Sequence, residues 1–298
     1  MRTPSVMKAN SELWYLSISL HPIYLSPTFQ SVHCHCEQKT KTMGLFRRNN
    51  IASAALPDLI SHEDWKLVLM ECKMCPRDAS KWSVREGFFD GEITSKVLPI
   101  HQACALMAPK EVIEILVKCF PQGIKMREST FHRTALHIAC QTNAPIDTIE
   151  ALVHFYPEAI RIQDSLGRLP VHYACAHEVP STTLELLLRE FPESCKIGDQ
   201  NGWLPLHVAC RRGVSLYELE LLLDCYPLSV NALTKKGSSP MTCAQQGNSR
   251  HHEEMVHYLE DYIKRSEKNE KELISFDMWE PPHKLSTIHH RHVVARGA

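Results

Sequence analysis

Four histidines, His101, His137, His172 and His207, each precede a cysteine by three residues: Cys104, Cys140, Cys175 and Cys210. Imidazole can act as a general base or metal ligand, and thiolate as a nucleophile or zinc ligand. Cys72-x-x-Cys75 has the spacing of half a zinc site, and His33-Cys34-His35-Cys36 would complete a tetrahedral set. Catalysis, however, calls for one constellation, and the His/Cys pair recurs at intervals of 36, 35 and 35 residues. The histidines therefore read as structural hydrogen-bonding groups of a repeated element. Cys72-x-x-Cys75 closes a helix and lacks the strand-then-helix context of a redox site, and the 33–36 run falls in a tail-like segment. No H-E-x-x-H, G-x-S-x-G, phosphate-binding Gly loop or dinucleotide fingerprint is present. Neither catalytic residue, metal nor cofactor is expected.

The elements that carry these residues follow from the period. Leu98-Pro99-Ile100-His101, Thr134-Ala135-Leu136-His137, Leu169-Pro170-Val171-His172 and Leu204-Pro205-Leu206-His207 are followed by Ser239-Pro240-Met241-Thr242, which lacks the histidine. Ala103, Ala139, Ala174, Ala209 and Ala244 keep step, as do Phe120-Pro121, Tyr156-Pro157, Phe191-Pro192 and Tyr226-Pro227. Proline at the first helical position costs no hydrogen bond, so the Pro-x-His strings start helices. A second helix ends before each aromatic-Pro pair, with one apolar face, as in Ile113, Leu116 and Val117 or Leu184, Leu187 and Leu188. Ser215 and Glu218 form a capping-box pattern. Asp164-Ser165-Leu166-Gly167 and Asp199-Gln200-Asn201-Gly202 carry turn chemistry between helix pairs. A helix pair cannot bury its apolar face alone; stacked pairs can, and the fixed alanine permits close approach.

These strings resemble the ankyrin repeat, whose pattern T-P-L-H-x-A they match five times in register over about residues 62–265. The period of 35 exceeds the family's 33, as in the long variant common in unicellular algae. The resemblance implies an all-α solenoid of helix-turn-helix units joined by hairpin-like turns. Two departures matter. Leu98, Leu169 and Leu204 stand where the family has Thr, so those histidines need other partners. Phe131-His132-Arg133 replaces the turn glycine found at Gly167, Gly202 and Gly237. The expected organisation is a tail or leader over 1–60, an N-terminal capping helix and loop over 61–97, four repeats over 98–238, a C-terminal capping repeat over 239–265, and a charged helix end and tail over 266–298.

Composition bounds the rest. A formal net charge of −1 over 298 residues removes any bulk attraction to nucleic acid or anionic membranes. No apolar run is long enough to span a bilayer. Residues 1–50 have the flavour of a leader or transit segment, but the apolar run Leu13–Leu20 is short and lacks a cleavage site. A tail, or upstream sequence before a start at Met43, is the plainer reading. Helix layers stack about 8–10 Å apart, beyond the reach of a disulfide, so the cysteine row reads as buried free thiols. That points to a reducing compartment, cytosol or nucleus.

In ankyrin proteins the partner meets the turn tips and the exposed end of the first helix. Carried over by position, the candidate partner-binding residues are Trp203, Arg211, Arg212, His177, Arg168, Arg133, His132, Lys235 and Lys236. The face they form is basic on a neutral chain, which points to an acidic or phosphorylated protein segment. Two rival readings stand beside this: a solvated charged face, and Trp203 packed on its own turn. Nucleic acid ranks behind, since no platform of several aromatics is present. The chain is expected to be a monomeric, non-catalytic scaffold; the alternative is a regulatory subunit or inhibitor that binds an enzyme through the same array.

Overall fold

The computed structural model describes residues 55–89, 93–177, 179–247 and 251–277, with side chains as far as Lys268. The leader-like segment, the 33–36 run and the tail from 278 onward lie outside the described residues. Helices come in pairs: α1 (Leu56–Ser61) and α2 (Trp65–Met74); α3 (Pro99–Ala105) and α4 (Lys110–Cys119); α5 (Ala135–Gln141) and α6 (Ile146–Phe155); α7 (Pro170–Ala176) and α8 (Ser181–Glu190); α9 (Pro205–Arg212) and α10 (Leu216–Cys225); α11 (Pro240–Gln245) and α12 (His252–Asp277). One compact unit ends at Leu259 and a second begins at Glu260. In the second, Arg265 Nε donates to the Asp261 carbonyl at 3.2 Å and Lys264 pairs with Asp261 at 3.7 Å.

Within the first unit, α1, α3, α5, α7, α9 and α11 pack in succession, and α2, α4, α6, α8 and α10 form a second layer. The inner first-layer helices α3, α5, α7 and α9 are short and buried on most sides between neighbours, whereas α1 and α11 at the ends bury about half of their residues. Ala103, Ala139, Ala174, Ala209 and Ala244 are all 0–2% exposed, which is where helix backbones come close. Second-layer helices bury one stripe only, such as Leu219, Leu222 and Leu223 on α10. The prolines after the aromatic residues end these helices and start five-residue 3₁₀ turns, Pro121–Lys125, Pro157–Arg161, Pro192–Lys196 and Pro227–Asn231. The family pattern and this helical stacking together make the fold an all-α repeat solenoid.

Two features differ from expectation. The array begins at Leu56 rather than 61, because Leu56 and Ile60 are fully buried and Gln102 on α3 donates to Pro57 O at 2.9 Å and Ser61 Oγ at 2.6 Å. The loop after α2 is an antiparallel hairpin, β1 (Ser83–Glu86) with β2 (Thr94–Val97). It occupies the tip of the N-terminal pair, where Lys96 N donates to Ser129 Oγ at 2.8 Å and Ser129 N to Lys96 O at 3.2 Å. At the other end α12 continues beyond 265, where a charged helix end is expected, and runs to Asp277.

Candidate functional site

Each repeated histidine is a clamp between one repeat and the next. His101 Nδ1 accepts the Leu98 N–H at 3.1 Å, and its Nε2–H donates to the Met126 carbonyl at 3.1 Å. His172 takes the Leu169 N–H and reaches Trp203 O, both at 3.1 Å, and His207 takes the Leu204 N–H and reaches Ala232 O, both at 3.2 Å. His137 has in addition the Thr134 hydroxyl at 2.8 Å, and its Nε2 donates to Arg168 O at 3.1 Å. The imidazole thus caps its own helix through an otherwise orphaned backbone N–H, so leucine at the N-cap is tolerated. Burial disfavours protonation, and it holds His101, His137 and His172 down at about 4. All four are 0–1% exposed. They stay neutral near pH 7, with both ring nitrogens engaged.

The tips are organised by a buried acid. Asp164 Oδ1 accepts the N–H groups of Leu166 and Arg168, both at 2.9 Å; Asp199 Oδ1 does the same for Asn201 at 2.8 Å and Trp203 at 3.0 Å. Glu128 serves the first tip, taking Thr130 N at 2.5 Å, Phe131 N at 2.7 Å and Arg133 N at 3.0 Å. Successive tips are stitched by backbone bonds: Ser165 N to Phe131 O at 2.8 Å, Gln200 N to Leu166 O and Lys235 N to Asn201 O, both at 2.9 Å. Gly167, Gly202 and Gly237 all have φ near +75° to +79°, and His132 occupies the same left-handed conformation at φ +55°.

Two members of the expected basic face are not on it. Arg133 is 0% exposed: Nη1 donates to Gln141 Oε1 at 2.7 Å, Nε pairs with Asp164 at 3.5 Å, and its guanidinium carbon lies 4.4–4.7 Å from the ring centroids of Phe89, Phe131 and Tyr173. Arg168 is 6% exposed and pairs with Asp199 at 3.4 Å. A buried guanidinium needs a carboxylate, and here the tip acid of the following repeat supplies it, 31 residues downstream in both cases. Arg133 and Arg168 are therefore internal cross-braces.

The remaining residues divide into two groups. His132, Lys235 and Lys236 are exposed at the tips. Trp203, Arg211, Arg212 and His177 are half-buried and lie on one stretch of the array. Trp203, Arg211 and Arg212 line a small crevice of about 10 Å³ with Ala176 and Val208, floored by Arg168, His172 and Tyr173. Trp203 stands beside its own turn, its ring 6.1 Å from that of His207 and its backbone N–H donated to Asp199 Oδ1, and the residue is half-buried. Arg211 is anchored by a 2.5 Å bond to the Gln246 carbonyl. His177 and Arg212 line a second cavity of about 450 Å³ with Val179, Ser215, Glu218 and His251.

Among the described residues no group of three His, Cys, Asp or Glu side chains converges as metal ligands, and all ten described cysteines are free. Cys104, Cys140, Cys175 and Cys210 are buried, and burial pushes each thiol well above its usual range. Among the described residues no helix is long and apolar enough to cross a membrane. Residues 100–191 match the family model for ankyrin repeats, in three copies. The chain matches no curated protein.

Proposed function

The chain is an ankyrin-repeat protein, and from that premise we propose that it is a non-catalytic scaffold that binds a partner protein through Trp203, Arg211, Arg212 and His177, with His132, Lys235 and Lys236 flanking at the tips. Ankyrin repeats generally mediate protein–protein interactions. The observation that carries the reading here is the crevice shared by Trp203, Arg211 and Arg212, an aromatic ring from the turn before α9 and two guanidinium groups from the last turn of that helix. Tryptophan and arginine in such settings dominate binding energy elsewhere. With Arg133 and Arg168 inside, the exposed positive charge is smaller than the sequence implied and is divided between Arg211 and Arg212 at the end of α9 and Lys235 and Lys236 at a tip. An acidic or phosphorylated segment is the partner chemistry that fits, and the buried free thiols fit a reducing cytosolic or nuclear setting.

Affinity capture from native lysate tests this, comparing wild type with the Trp203→Ala, Arg211→Glu, Arg212→Glu variant at matched circular dichroism and melting temperature. Proteins retained by wild type and lost by the variant are expected. Identical captures by both baits would move binding to the opposite face or the tails.

A further inference from the structure

Cys119 and Cys225 hold the same place in the repeated unit: each ends a second-layer helix, α4 and α10, one residue before the aromatic-Pro pair. The helices between them, α6 and α8, end in Phe155 and Glu190 instead. Each of the two thiols meets a cysteine of the preceding unit. Cys119 Sγ donates to the Cys72 carbonyl at 3.3 Å, and the Cys72 thiol in turn hydrogen-bonds to Cys119. Cys225 Sγ donates to the Pro192 carbonyl at 3.8 Å, and the Cys195 thiol hydrogen-bonds to Cys225. The facing cysteines are exceptional as well. Cys72 stands where later units have Val117, Val153, Leu188 and Leu223, and Cys195 where they have Ile124, Ile160 and Val230. Where the turn carries Ile124 or Ile160, the helix end one repeat on carries Phe155 or Glu190; where it carries Cys195, that helix ends in Cys225.

The two members of each pair differ in access. Cys119 and Cys225 are half-buried, whereas Cys72 and Cys195 are 1% and 3% exposed. Burial, reinforced by the adjoining Cys119 thiol, pushes Cys72 up to about 12, and burial beside Cys225 raises Cys195 too, so the inner thiol is not the first to react. The row of Cys104, Cys140, Cys175 and Cys210 is shut away from any oxidant at 0–2% exposure. Cys75 is exposed, but its hydrogen bond to Glu71 raises that thiol as well. An accessible thiol against an enclosed one sets the order of a two-step exchange, in which the outer sulfur meets the oxidant and the inner sulfur resolves it. Thiols in hydrogen-bond contact are the starting geometry for a bridge, completed when the sulfurs close to about 2 Å.

We propose that Cys72 with Cys119 and Cys195 with Cys225 are two redox clasps, open as thiols in a reducing setting and closed as disulfides when a low-molecular-weight disulfide accumulates. The Cys119 thiolate, its proton released to water, attacks one sulfur of the oxidant RSSR; the S–S bond breaks, leaving Cys119–S–SR and RS⁻. The Cys72 thiolate, likewise deprotonated, then attacks the Cys119 sulfur and expels the second RS⁻. The two cysteine protons end on the two leaving groups, so two thiols are oxidised while one RSSR is reduced to two RSH. Cys225 and Cys195 follow the same course. The first clasp joins α2 to α4, and the second joins the Pro192–Lys196 turn to α10. Each resists the parting of neighbouring units, the way a stacked array opens. The clasps act independently of the partner-binding residues.

The test equilibrates the full chain with oxidised glutathione at neutral pH, unfolds it in the presence of an alkylating agent, and maps it by digestion and mass spectrometry without reduction. Expected are two linked pairs of peptides, Cys72 with Cys119 and Cys195 with Cys225, with Cys104, Cys140, Cys175 and Cys210 recovered alkylated. Excess reduced glutathione should reverse both links. Cys119→Ser should abolish the first link alone, and Cys225→Ser the second alone. Cys72→Ser should leave Cys119 as a glutathione adduct, which marks the outer thiol as the first to react. The oxidised chain should melt higher than the reduced one, and the gain should vanish in the Cys119→Ser, Cys225→Ser double variant. A pair recovered in wild type as alkylated thiols or glutathione adducts is no clasp, and a link from Cys119 or Cys225 to any other cysteine, Cys75 included, overturns the pairing. An oxidised chain that melts no higher than the reduced one overturns the clasping role.

Discussion

Arg133 Nε and Asp164 Oδ2 lie 3.5 Å apart with both side chains 0% exposed, and they belong to different repeats. The acid also takes the Tyr173 hydroxyl at 2.6 Å and two backbone N–H groups, so one carboxylate shapes a tip and neutralises a buried cation. Asp164→Ala strips all of this at once and should cost about 3–5 kcal/mol, the range for breaking a buried pair by removing one partner. Arg133→Met, which leaves Asp164 its other three donors, should cost less. Denaturant titration at neutral pH ranks the two; equal losses would mean that the carboxylate acts through the ion pair alone.

Acid should unfold the array early. The free imidazole value is 6.5, whereas folded His101, His137 and His172 stay neutral down to about 4. Between those values the unfolded chain binds more protons than the folded one. Stability is therefore full above 6.5 and is lost as pH falls toward 4, by up to about 1.4 kcal/mol per pH unit for each histidine. Melting temperature measured from neutral pH down to about 4.5 should fall steeply. His172→Gln, which offers an acceptor and a donor at similar reach, should make that slope shallower. A flat profile would contradict the clamp described above.

His132 holds a left-handed backbone that its three counterparts give to glycine. His132→Gly should therefore stabilise the first tip, by up to about 1 kcal/mol. Glycine to alanine at the other tips should be graded. A Cβ at Gly167 would sit 2.9 Å from Gln200 N, within the backbone of the next tip, whereas one at Gly237 meets nothing within 4 Å. Gly167→Ala should lower the melting temperature clearly more than Gly237→Ala; the reverse order would refute the close stacking of tips.

Ala174 and Ala209 are 2% and 0% exposed on adjacent first-layer helices. Replacing either by leucine should overpack the stack at a cost of about 1–3 kcal/mol. An unchanged thermal midpoint in both variants would show that the helices can separate freely.

Much of this architecture is legible in the sequence, because the histidine, the alanine, the aromatic-Pro pair and the turn glycine each mark a different point of one 35-residue unit. The burial of Arg133 and Arg168 is not legible at that level. A basic residue beside a turn glycine looks exposed when its own repeat alone is considered, and its carboxylate lies in the following one. The constant separation of 31 residues between Arg133 and Asp164, and between Arg168 and Asp199, was the available signal. In the N-terminal pair α2 is legible as a capping helix, but α1 is not, for a different reason: it has six residues and no Pro-x-His string. The hairpin beside it does show its alternation, in Thr94-Ser95-Lys96-Val97, where Ser95 and Val97 are buried. The cavity around His177 has no sequence signal beyond a histidine where an earlier repeat has threonine.

The histidine clamps all point one way. His101 reaches Met126, His137 reaches Arg168, His172 reaches Trp203, and His207 reaches Ala232: always forward along the chain. On a ribosome, the imidazole of each repeat emerges before its acceptor and stays hydrated until the succeeding segment arrives. Completion of the array is thus a relay with a direction, in which every newly made turn locks the helix synthesised before it. Trimming from the carboxyl end strands a histidine at the break, whereas trimming from the amino end removes histidine and acceptor in order and leaves the surviving clamps whole.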